Sequence, residues 1–452
     1  MLVVRSHHVI LPEGERAAAL LVNDGIIERI VEYDAEDPTG AKVFNVPDQV
    51  ISPGLIDTHV HVNEPGRSDW EGFDTATRAA AAGGVTTIVD MPLNSVPATT
   101  TAGALQAKRD AARAQCHVDV GFWGGVVPGN ADQLDALVDA GVRGFKCFLV
   151  PSGVEEFPAV DEADLRLALP ILARRNVPLL VHAEDPARVT HPTQPTYQSF
   201  LASRPPEAEL EAIRLMVRLA EEFKTRVHIV HVSSAQGVEA IAAARAGWVP
   251  ITAETCPHYL TFAAEGVPDG ATEFKCAPPI REASHRDALW DGLTRGVLDL
   301  IATDHSPAPP ALKTPGDFSR AWGGIASLEL SLPATYTSLK SHVSTLNSES
   351  SELRVESSQL FCLLARWMSS APAALAGLGE KKGRIAEGFD ADLVIWDPGA
   401  DFVVDSANMR QRHKLTPYAG RSLSGAVLTT FVRGERVWDR NKLTRAYGGR
   451  LL

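Results

Sequence analysis

At 452 residues the chain is too long for one small core, and 45% apolar content suits one large domain with a smaller companion. Its formal charge is −13, with acidic residues scattered along the chain. That excludes the basic footprint of a nucleic-acid or anionic-membrane binder and points to a small-molecule substrate. Five spaced cysteines (Cys116, Cys147, Cys256, Cys276, Cys362) make no CxxC pair and read as reduced thiols. The N-terminus reaches charge at Arg5, so it offers no signal-peptide core, and no run approaches the ~18 apolar residues of a membrane span. A cytoplasmic enzyme is expected.

In chain order, the spacing predicts strands over 2–10, over 17–30 with a break at the Asn23-Asp24-Gly25 turn, and over 42–50. Strand-like segments return after Ala391 as ADLVIWD, DFVVD and GAVLTTFVRGERVWD. Residues 1–50 and 385–452 together are read as a small β-sandwich domain built from both termini. Residues 51–384 alternate apolar runs with helical patterns, the signature of βα units around a parallel sheet. Strands are predicted to end near His61, Met91, Trp123, Lys146, His182, His231, Glu254 and Asp304, which makes the eight of a (β/α)₈ barrel. Between them, Leu210, Ile213, Val217, Ala220 and Phe223 recur at helical steps. The Ser- and Glu-rich stretch 336–359 breaks the pattern and reads as an exposed loop insertion.

His59 and His61, two apart at a strand end, project to the same face. An isolated HxH is usually structural. Here Lys146, His182, His231 and Asp304 each stand at the predicted C-terminal end of another strand, the barrel face where catalytic groups converge. Imidazoles and carboxylates suit divalent first-row ions. Lys146 fits such a set only if burial frees its amine to take up carbon dioxide as an anionic carbamate, able to bridge two metals. Its alternative is a salt bridge to Asp90 or Glu184, which the surrounding histidines argue against. His228, three before His231, is expected to face the opposite side as a packed wall residue. His7, His8, His117, His285 and His413 are left as structural or surface residues. A bound metal brings a water pKa from about 15.7 toward about 7, so a hydroxide can attack a ring carbonyl. Asp304 would take the proton and return it to the departing nitrogen.

These residues resemble the cyclic-amide branch of the amidohydrolase superfamily, which includes allantoinases, hydantoinases or dihydropyrimidinases, and dihydroorotases. The resemblance runs through PGLIDTHVH (53–61), FKCF (145–148), HAE (182–184), HIVHVSS (228–234), ETCPHYLTF (254–262) and TDHSP (303–307). It implies two divalent ions, zinc foremost and iron, manganese or cobalt as options. A carboxylated, bridging Lys146 would join His59, His61 and Asp304 on one ion to His182 and His231 on the other. The branch commonly forms homotetramers. Dihydroorotases carry an arginine where this chain has Asn63, and hydantoinases carry a tyrosine after the lysine that CFLVPSG (147–153) lacks. DMPLNSVPATT (90–100), KCAPPIR (275–281) and AWGGIASLEL (321–330) look most like the allantoinase group, which implies opening of the allantoin ring to allantoate. By the same analogy Asn94, Ser152, His258 and backbone near Ala277 and Gly324 would contact the ureide. Asn94 and Ser152 equally suit plain turns, and 151–158 suits a lid. The rivals are a dihydropyrimidinase or hydantoinase, and a non-catalytic scaffold of dihydropyrimidinase type that has lost its ligands.

Overall fold

The computed structural model describes residues 1–349, 357–444 and 447–452. Eight parallel strands form the barrel: β1 Leu55–Val60, β2 Val85–Asp90, β3 Asp119–Phe122, β4 Phe145–Phe148, β5 Leu179–His182, β6 Val227–Ile229, β7 Ile251–Thr255 and β8 Leu300–Ile301. β3 breaks at Trp123 and resumes as Gly124–Gly125, so its first part pairs with β2 and its second with β4. A bridge between Val60 and His305, with His61 N donating to His305 O at 2.8 Å, closes β8 against β1.

Period-two alternation divides the strand residues between two cores. Ile88, Leu179, Val181, Val227, Ile229 and Ile301 pack outward beneath the helices. Val89, Leu180, Val230 and Leu300 cluster inside the barrel with Trp123, whose indole N–H donates to Thr58 O at 2.8 Å. Burying one such side chain contributes roughly 1.5–3 kcal/mol.

The terminal strands form one nine-stranded sheet, joined through Val50–Pro53, which runs parallel to Leu2–Leu11 and antiparallel to Leu393–Val403. The sheet curls on itself: Phe44 meets the Phe431 ring edge-on at 5.5 Å around a separate apolar cluster. Its second hairpin, Gly14–Asn23 to Ile26–Val31, turns at Asp24 (φ 49°) and Gly25 (φ 84°), the paired left-handed residues that favour an N-D-G sequence. Among the described residues no helix is long and apolar enough to cross a membrane.

Two local expectations change. Helix Pro206–Phe223 forms, but its buried face is Ala208, Ala212, Ile213, Met216, Leu219 and Ala220, leaving Leu210 and Val217 half-buried. The stretch 336–359 is no loop through its first part. Ser331–Glu349 is helical because Leu332, Tyr336, Leu339 and Val343, one or two turns apart, bury one stripe, which overrides the polar composition. A second helix, Ser357–Ala365, begins within the stretch, and 350–356 lie outside the described residues.

Candidate metal centre

Alternation aims most of the predicted site residues at the barrel axis. Val60 and Val62 pack outward, so His59 and His61 face inward. Lys146 lies between outward Phe145 and Cys147, and His182 follows outward Val181. His231 and Asp304 arrive differently, since they lie beyond the ends of β6 and β8 in left-handed backbone, φ 42° and 46°. Such a conformation costs on the order of 1–3 kcal/mol, which the surrounding packing must offset. The reversal corrects the expectation that His228 and His231 face opposite sides. His228, between outward Val227 and Ile229, is interior, and the backbone inversion turns His231 inward as well.

The side chains meet in one buried ring. His59 Nε2 and His61 Nε2 lie 3.2 and 3.4 Å from Asp304 Oδ1. The His59 and His231 rings are 5.5 Å apart, and His231 meets His182 edge-on at 4.5 Å. Phe148 stacks on His182 at 4.5 Å, and Lys146 Nζ sits 4.9 Å from the Phe148 centroid. Among the described residues the Lys146 amine has no hydrogen-bond partner. Its suggested acids are engaged elsewhere: Asp90 pairs with Lys108 at 2.6 Å, and Glu184 with Arg204 and with His182 Nε2 at 2.7 Å.

Sequence reasoning passed over the carboxylates that hold the histidines. Glu254 Oε1 is 2.5 Å from His59 Nδ1, and its Oε2 is 3.1 Å from His228 Nε2. Asp57 accepts from the backbone N–H of His59 at 3.0 Å and of Thr303 at 3.2 Å, tying β1 to the chain leading into Asp304. The available signal was an acid embedded in an apolar strand end, as in HAE and TAET.

The suggested substrate contacts divide. Asn94 is buried at φ 65°, its Nδ2 3.4 Å from His61 Nδ1 and its Oδ1 unpartnered. His258 is fully buried on the short helix Pro257–Thr261 with both ring nitrogens unpartnered. Ala277 precedes a cis proline, Pro278. Ser152 spends its hydroxyl on Phe157 O at 2.6 Å within its own loop. Gly324 N donates to Lys275 O at 2.8 Å, and at φ 134° a Cβ there would meet Ser306 O at 2.2 Å, so only glycine fits. The 151–158 segment is clasped from outside: Arg67 reaches Glu156 at 2.9 Å and Asn94 O at 2.8 Å, and the Trp322 ring covers Gly153. Of the histidines left aside, His117 pairs with Asp74 at 2.9 Å, His413 with Asp69 O at 2.7 Å, and His8 with Glu15.

A family model described as the amidohydrolase family matches residues 50–437. The chain belongs to the amidohydrolase family. A protein of Streptomyces avermitilis named allantoinase is 50% identical over 99% of this chain and 97% of its own length. One of Saccharomyces cerevisiae, also named allantoinase, is 42% identical over 96% and 95%. Among solved structures, the L-hydantoinase (dihydropyrimidinase) of Arthrobacter aurescens superposes with a TM-score of 0.91 at 30% identity, covering 100% of this chain and 99% of that one.

In this amidohydrolase the residues present fit a divalent cation. His59, His61 and Asp304 each offer a ligand atom within 4.8 Å of the others. Glu254 Oε1 holds the Nδ1 side of His59, which turns its Nε2 toward Asp304 Oδ1. A divalent cation seated at these two atoms would take both as ligands. Burial pushes the His61 imidazolium down to about 4 despite its Asp304 contact, and holds His231 far below the ordinary range, so both keep lone pairs at neutral pH. Burial alone would raise Asp304, but His59 and the His61 hydrogen bond outweigh it and keep the carboxyl ionised. Burial also lowers the Lys146 ammonium to about 8, against the pull of Asp304 and Glu254.

Proposed function

We propose that the chain hydrolyses the cyclic amide of allantoin to allantoate, using two divalent cations held by His59, His61, Lys146 as its carbamate, His182, His231 and Asp304. Zinc is the first expectation, with iron, manganese and cobalt compatible with the same donors. One observation carries the reading: a fully buried, unpartnered lysine amine inside a ring of four imidazoles and an aspartate. An isolated ammonium there would be strongly disfavoured, whereas a carbamate gives the donor set its missing anion. Cations bound there polarise the scissile carbonyl and make a coordinated water acidic enough to ionise at neutral pH.

The protein residues then move one proton and orient the ring. Asp304, ionised, accepts the proton of the attacking water and delivers it to the ring nitrogen as the C–N bond breaks. The product is a single opened ureide that carries the new carboxylate: the water supplies the carboxyl oxygen and the nitrogen's proton, and its second proton leaves to solvent. Asn94 Oδ1 and the His258 nitrogens, buried and unsatisfied, supply hydrogen bonds to a planar ureide. Asn63, uncharged and buried, suits a substrate without a carboxylate at that position.

The choice of allantoin is supported by relatives so named at 38–50% identity, against 24–30% for the hydantoinase and dihydropyrimidinase structures. A side-by-side assay of allantoin, dihydrouracil and hydantoin, with elemental analysis of the same preparation, tests both parts. Preference for dihydrouracil would replace the substrate. Protein that binds no divalent metal and gains no activity from any would favour a non-catalytic scaffold.

A further inference from the structure

The two carboxylates behind the metal-facing histidines are compensated differently. Glu254 divides its oxygens, Oε1 to His59 and Oε2 to His228, and among the described residues its ion-pair contacts are these two imidazoles. His228 Nδ1 is in turn 2.8 Å from Thr252 Oγ1, a hydroxyl that carries no charge. Glu184 instead places one atom, Oε2, against both His182 Nε2 and the Arg204 guanidinium, and leaves Oε1 unpartnered. Arg204 is itself braced, because its carbonyl accepts from Arg281 Nη1 at 2.9 Å, and Arg281 is buried on Ser233.

A carboxylate hydrogen-bonded to the far nitrogen of a ligating imidazole raises that ligand's basicity, and removing such a partner costs about 10–100-fold in metal affinity. A permanent cation on the same carboxylate oxygen withdraws that donation. We infer that Arg204 is a positioning residue that makes the two halves of the centre unequal: the half served by His182 and His231 binds its cation more weakly than the half served by His59 and His61. The inequality lets one ion exchange while the other stays. The inference rests on the two-cation reading above.

The test is chelator titration of the metal-loaded protein, following metal retained per chain by elemental analysis. Wild type is expected to release metal in two steps with a plateau at one ion. R204M removes the cation while keeping an apolar stem, and is expected to tighten the weaker step about tenfold and narrow the gap. R204K, which keeps the charge, should retain the two-step release. E184Q should loosen only the weaker step, and E254Q only the tighter one. A single release step in wild type, or an R204M protein whose weaker step stays put or loosens, overturns the inference while leaving a two-cation centre intact. Protein that binds no metal at all overturns the reading beneath it instead. Circular dichroism and the urea midpoint of each variant separate a folding defect from a change in affinity, and R204Q, which removes the charge but keeps a polar end, carries the comparison with the same expected tightening if R204M does not fold.

Discussion

Asp90 and Lys108 form a fully buried ion pair, Oδ2 to Nζ 2.6 Å, and Asp90 Oδ1 also accepts from Val62 N at 2.9 Å. That pairing commits Asp90 to Lys108, while the amine of Lys146, also fully buried, has no hydrogen-bond partner among the described residues.

Carbamate formation consumes a neutral amine. Because burial lowers the Lys146 ammonium to about 8, the neutral fraction of the metal-free protein grows as pH rises through that value. At fixed dissolved carbon dioxide, reconstitution of metal-free protein should therefore quicken between pH 6 and 8, about tenfold per unit, and level off above. Intact mass and metal content over time report it. A rate that falls with pH, or a K146A variant that still takes up two ions, contradicts the carbamate.

Asp304→Asn keeps the shape and removes the proton acceptor. A kcat lower by about 10²–10⁴ is expected, with a far smaller change in KM for the preferred substrate. Metal content must be measured in the same sample, because the carboxylate also faces His59 and His61. An unchanged kcat in a fully loaded variant would remove Asp304 from the chemistry.

Lys382 joins the barrel to the terminal sheet, with Nζ 2.7 Å from Asp119, 3.0 Å from Asp390 and 2.7 Å from Asp392. These three acids have the spacing of a cation site, but the ammonium already occupies their centre. Lys382→Met removes the ammonium they share, leaving Asp119 to Arg433, and should lower unfolding free energy by about 3–5 kcal/mol, read from urea denaturation. The folded variant should keep the wild-type KM.

Burial raises Glu329 from 4.5 to about 7, against hydrogen bonding from Arg410 N at 2.5 Å and the Arg410 charge. A carboxyl raised on folding stabilises the protein below its unfolded pKa, and that contribution disappears as pH climbs through the folded value. Relative to Glu329→Gln, wild type should therefore lose stability from about pH 4.5 to 7, by up to ~3 kcal/mol. Paired urea curves across that window measure it, and a pH-independent difference would refute it.

Six of the eight strand ends could be read from the sequence because the apolar run stops at a polar residue, as VPLLVH does at His182 and VHIVH at His231, and a barrel points such ends into one mouth. The terminal sheet was legible for a similar local reason: short alternating runs punctuated by turns such as Asn23-Asp24-Gly25. Only the tertiary structure decided which acid serves which base. Glu254 reaches His59 across 195 positions of sequence, and Asp90 chooses Lys108 over Lys146; neither pairing has a local pattern. It also decided the backbone inversion at His231, which lets His228 share the interior with it although period-two counting puts the two on opposite faces, and the helix over Ser331–Glu349, where a buried stripe outweighs a polar composition. Alternation and turns are set by neighbouring residues and survive in the sequence; charge pairing and burial are set by residues that only folding brings together.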